Sequence, residues 1–80
     1  MIAQLLALLE KLGPNAIVLI NYLIANKDQI AALLNLLMTL FGVKIPAGKQ
    51  AVSDEEFIEA CKKAGASTGD AQELLAALPE

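Results

Sequence analysis

The chain has 80 residues, 56% of them apolar and 19% charged, and a net charge of −3. It contains no histidine, tryptophan or arginine, and one cysteine. This composition excludes a disordered tail, which is far less apolar, and a disulfide scaffold, which needs paired cysteines. What remains is one small domain, or a membrane-associated hairpin with a small appendage.

The apolar residues are unevenly placed. Residues 1–43 hold 29 of them and residues 44–80 the other 16. A compact protein of this mass exposes roughly 4,600 Å² and buries only about 60% of its unfolded surface. The N-terminal half therefore has more apolar surface than one thin core easily hides. The excess is expected to meet another copy, another protein or lipid. Charge divides the same way. Residues 1–52 balance to +2 and residues 53–80 to −5. An acidic C-terminal part with no arginine and no stacking platform speaks against nucleic acid as partner.

Taken in chain order, residues 2–12 read as a helix of strong helix formers that is apolar over most of its circumference. Gly13 and Pro14 punctuate it, one suited to a helix end and the other to a helix start. The segment has no basic start and no small-residue cleavage site, so a cleaved signal is not expected. One cysteine and no signal favour a reducing compartment, either cytoplasmic or within a large assembly, with membrane association left open.

Residues 14–42 have two readings. One is a single long helix. The other is two helices, about 14–25 and 27–41, broken near Asn26, which would act as N-cap with Gln29 at the capping-box position. The break is preferred. Under the single-helix reading, Asn21, Asp28 and Asn35 form a thin polar seam seven residues apart, able to set register between copies or line a lumen. The charge-free runs 12–26 and 29–43 are 15 residues each, too short for a simple span. Fused, they would place Lys27 and Asp28 near a bilayer centre.

Residues 44–52 read as a Pro/Gly linker. It separates an apolar helical region, 1–43, from an acidic helical hairpin, 53–80. The hairpin's first helix, about 54–64, has Ser53 as cap, Glu56 completing the box, acids in its first turn and lysines in its last. Its second helix, about 70–78, is expected to start on Asp70. Two short helices cannot stand alone, so Phe57, Ile58, Leu74, Leu75 and Leu78 should dock on the N-terminal helices of the same or a neighbouring chain.

Chemistry has few candidates. Without histidine, a zinc site or a Ser–His–Asp arrangement is out of reach within one chain. Cys61, on an apolar helix face, reads as a core residue. The cluster Asp54, Glu55, Glu56 and Glu59 reads as helix-dipole charge, because a helix start cannot wrap oxygens round an ion. Gly42 to Gln50 departs from the phosphate-binding loop in spacing and lacks its Ser or Thr.

The fold is thus expected to be all-α, with four or five helices. No cofactor, small-molecule substrate or enzymatic activity is expected. The leading functional expectation is a structural subunit that self-associates, or packs with protein partners into a virion-like or multi-subunit assembly. Its interface would comprise Leu5, Leu9, Ile17, Ile20, Ile24, Leu33, Leu37 and Leu40. The alternatives are a membrane-active oligomer, holin-like or pore-forming, or part of a membrane complex, and a soluble helical interaction module with a groove for a partner helix.

Overall fold

The structure is a computed structural model and describes residues 2–43 and 52–78. Every regular element among those residues is helical, with no strand. Five α-helices follow one another: α1 (Ile2–Leu12), α2 (Ala16–Ala25), α3 (Ile30–Phe41), α4 (Asp54–Lys63) and α5 (Thr68–Ala77). Apart from Val52, the expected linker lies outside the described residues.

Short 3-10 turns, Gly13–Asn15 and Lys27–Gln29, join the first three helices. Gly13 makes the first corner at φ +58, a left-handed conformation that costs any L side chain roughly 1–2 kcal/mol. The second corner is the expected break. Asn26 (φ −126, ψ 43) and Gln29 (φ −118, ψ 14) both leave helical geometry. The expected cap does not form there. The Gln29 N–H donates to the backbone carbonyl of Asn26 at 3.0 Å, so the donor a side-chain cap would use is already bonded. The Asn26 side chain turns back instead, and its Nδ2 donates to the carbonyl of Tyr22 at 2.8 Å. It satisfies the end of α2 rather than the start of α3.

The C-terminal pair follows local rules more closely. Ser53 Oγ accepts from the Glu56 N–H at 3.1 Å, as the sequence predicts. Asp54, Glu55 and Glu56 lie in the first turn of α4, and Lys62 and Lys63 in its last, matching the helix dipole. At its end the Ala66 N–H reaches the Cys61 carbonyl at 3.0 Å and the Gly65 N–H reaches Lys62 at 3.0 Å, a Schellman closure. The last helix needs a correction. It starts at Thr68, not Asp70, and its cap is Ser67, whose Oγ accepts from the Asp70 N–H at 3.1 Å. Asp70 occupies the third helical position of that cap. The helix ends at Ala77. Leu78 is extended (φ −72, ψ 133), the conformation that a following proline imposes.

One core serves both expected regions. Leu5, Leu8 and Leu9 of α1, Leu19, Ile20 and Leu23 of α2, and Ile30 and Leu34 of α3 meet Phe57, Cys61, Ala71, Leu74 and Leu78. Helix α4 packs on α1, and α5 on α2. Phe57, with none of its surface exposed, is the largest core side chain. Its burial contributes roughly 1.5–3 kcal/mol. The chain exposes 4,903 Å² in all, close to the area expected for a compact protein of its mass. The large apolar side chains that stay exposed among the described residues, Val18, Tyr22, Leu36, Leu40 and Phe41, lie in one place.

Candidate docking surface

That place is the outer face of α2 and α3. Neither the 10 residues of α2 nor the 12 of α3 include a charged side chain. A helix with apolar residues on most of its circumference cannot bury all of them against one neighbouring layer. On α2, the side carrying Ala16, Leu19, Ile20 and Leu23 turns inward. The side carrying Val18 (68% exposed) and Tyr22 (50%), four residues apart, turns outward. On α3, Ile30 and Leu34 face the core. Leu33, Leu36, Leu37 and Leu40 follow the spacing of one helix stripe, with Leu36 and Leu40 exposed at 55% and 69%. Phe41 adds a partly exposed ring. Between the two helices runs an open apolar groove of about 420 Å³, lined by Leu12, Asn15, Val18, Leu19, Tyr22, Leu37 and Phe41.

The eight expected interface residues separate into three groups. Leu5, Leu9 and Ile20 are buried inside the chain's own core, so in this fold they are not free to touch another molecule. Ile17, Ile24, Leu33 and Leu37 are half-buried against that core. Leu40 is exposed. The polar seam does not form as a line. Asn21 lies on α2, Asp28 in the 3-10 turn and Asn35 on α3, all exposed and separated by the break. The hairpin residues do come together within one chain. Phe57, Leu74 and Leu78 are buried, and Ile58 and Leu75 pack against them.

Sequence reasoning missed Val18, Tyr22, Leu36 and Phe41. In a helix without charges, nothing in the residue types marks which side faces water. The one usable signal was spacing. Val18 and Tyr22 lie off the Ala16, Leu19, Ile20, Leu23 stripe, which repeats at three and four residues.

Other features offer less. A cleft of about 400 Å³ lined by Leu9, Glu10, Gly13, Pro14, Ala60, Lys63 and Ala64 lies at the α1–α4 junction. No buried side-chain polar atom among the described residues lacks a partner, so no unpaired group points into it. Cys61 is buried, and burial pushes its thiol up to about 11, which keeps it protonated and unreactive near neutral pH. The Lys27 ammonium meets the Glu73 carboxylate at 3.0 Å and ties the α2–α3 corner to α5. No group of three or more metal-ligating side chains occurs among the described residues.

Residues Ile2–Ala25 form a 24-residue helical run with mean hydropathy 1.4, long and apolar enough by length and composition to cross a membrane. Gly13 bends that run, and 33% of its most apolar window is buried against the rest of the chain. A straight span would require Gly13 to adopt the right-handed conformation and those core contacts to be released. No family model, curated protein or solved structure matches the chain.

Proposed function

We propose that this protein is a non-enzymatic structural subunit that works by packing, and that its α2–α3 face is the surface by which it associates with copies of itself. The observation carrying this reading is the charge-free face itself: Val18, Tyr22, Leu36 and Leu40 are each at least half exposed around an apolar groove. The largest apolar patch on a small protein is often a functional one. Tyr22 and Phe41 line the groove, and aromatic rings are enriched in the buried centre of interfaces. The absence of histidine and the burial of the one cysteine support a role without bond-making chemistry.

The test is absolute mass in detergent-free buffer, measured by light scattering across a hundredfold range of concentration. A mass above 8.4 kDa that rises with concentration and then levels is the expected result. A single-chain mass throughout would overturn the reading.

A second reading rests on the helical run Ile2–Ala25. In it, α1 and α2 enter lipid after the α4–α5 hairpin releases them. Fluorophore leakage from liposomes on addition of the protein would favour it. An intact core in the presence of liposomes, followed by protection of the Phe57 region from hydrogen exchange, would sink it.

A further inference from the structure

We infer that the α2–α3 face is closed by a second copy of the chain in a two-fold pair, the Leu36 and Leu40 ridge of each copy lying in the groove of the other. This rests on the self-association proposed above and specifies its geometry.

Three observations lead to it. The first is shape. The face carries a ridge and a groove side by side, the ridge on α3 and the groove between α2 and α3. A two-fold axis brings the ridge of one copy to the groove of the other and repeats the contact in reverse, so both features are satisfied at once. An apolar cavity of roughly 150 Å³ takes a benzene molecule. The groove's volume of about 420 Å³ therefore has room for the ends of two leucine side chains.

The second is charge. Each copy carries a net −3, so two copies gain nothing from overall charge when they meet. Close to a two-fold axis a residue meets its own counterpart, so a charge there would face its like. The α2 and α3 helices, with no charged residue, are free of that cost. The two polar residues that line the groove carry no formal charge: Asn15 of the 3-10 turn and Tyr22 of α2. A strongly charged partner would have its own charges stripped of water there with nothing opposite.

The third is size. The exposed apolar surface of Val18, Tyr22, Leu36, Leu40 and Phe41 is of the order of 500 Å². A stable interface buries about 800 Å² per partner, somewhat over half of it apolar. The face is thus the size one side of a dimer needs, and too small for several partners at once.

The experiment uses the full chain. Sedimentation equilibrium should give twice the chain mass. Leu40→Lys and Val18→Glu change side chains that are mostly in water, so circular dichroism should show an unchanged fold. Each should weaken pairing tenfold or more. Mixed in equal amounts, the two variants should pair again, since the new ammonium on one chain meets the new carboxylate on the other. Ala31→Lys, exposed on another side of α3, should leave the mass unchanged. A wild-type mass above two chains, or a dimer indifferent to both variants, overturns this geometry and leaves self-association standing. So does a mixture that fails to pair. A wild-type single chain overturns both, and co-sedimentation of that single chain with phosphatidylcholine vesicles would assign the face to lipid.

Discussion

The two halves of the chain reach helical structure by different means. In α4 and α5 each start is fixed by a serine hydroxyl bonded to a backbone N–H, and α4 is further aligned by opposite charges at its two ends. In α2 and α3 there is no charge, and neither N-cap makes a side-chain bond. Those helices are bounded by corners and glycine, and held by what they bury. The difference has a consequence on the outside. A hairpin with charges on its wet face has its orientation settled by water. A helix without charges has one side buried by the fold, while its other side keeps apolar side chains exposed.

The comparison is open to several breaks. The largest expected effect is in the shared core. Phe57→Ala should cost about 3–5 kcal/mol in urea unfolding, because the ring is fully enclosed and its loss leaves a cavity that neighbours refill only in part. Val18→Ala should change the stability of the single chain by less than about 0.5 kcal/mol. If the two substitutions cost the same, the division between core and outer face is wrong.

Next is the thiol. The folded pKa of Cys61, about 11, lies above the value of 9.0 for a free thiol. Up to the lower value both states bind the proton, and the contribution is fully present. As pH rises from 9 toward 11 the unfolded chain loses its proton first and is favoured, so stability falls by about 2–3 kcal/mol over that window. Cys61→Ala should flatten this part of the stability-against-pH curve, measured by urea midpoints. An unchanged slope would mean that the thiol is reached by water.

Smaller again is the cap of α5. Ser67→Ala removes the acceptor of the Asp70 N–H and should cost about 1 kcal/mol, read as a lowered Tm. An equal loss on Asp70→Ala with Ser67 intact would return the cap to the residue the sequence suggested. The least is the ion pair between Lys27 and Glu73, both well exposed. A double-mutant cycle with Lys27→Met and Glu73→Gln should give a coupling below about 1 kcal/mol, diminished further by salt.

How legible the structure was in the sequence follows the same division. The start of α4 was readable to the residue because Ser53 and Glu56 carry the capping pattern and acids follow immediately. The start of α5 was missed although the same pattern stands at Ser67 and Asp70. Gly69 inside it suggested a turn, yet the cap and the burial of Ala71 and Leu74 outweighed the weak propensity of one glycine. The break near Asn26 was legible in place but not in mechanism, since the choice between bonding forward and bonding back depends on which backbone donor the 3-10 turn has already used. For the docking face the residue types gave quantity without phase. They showed too many apolar side chains in residues 1–43. That Leu5, Leu9 and Ile20 lie inside while Val18, Tyr22 and Leu36 lie outside depends on where α4 and α5 rest, and that is a property of the whole chain.

The corner at Gly13 has a consequence in handedness. At φ +58 the backbone there takes the conformation natural to a mirror-image amino acid, and an L Cβ built on it meets nothing within 4 Å, so an L side chain is opposed by the backbone conformation and not by a neighbour. Gly42 at the end of α3 shares both properties. An 80-residue chain is within reach of chemical synthesis. D-alanine at either position would match the backbone conformation and narrow the freedom of the unfolded chain, raising stability by about 0.4–1 kcal/mol, whereas L-alanine would lower it. The opposite signs of two isomers, identical in composition, would report directly on the turn that folds α1 back beside α2.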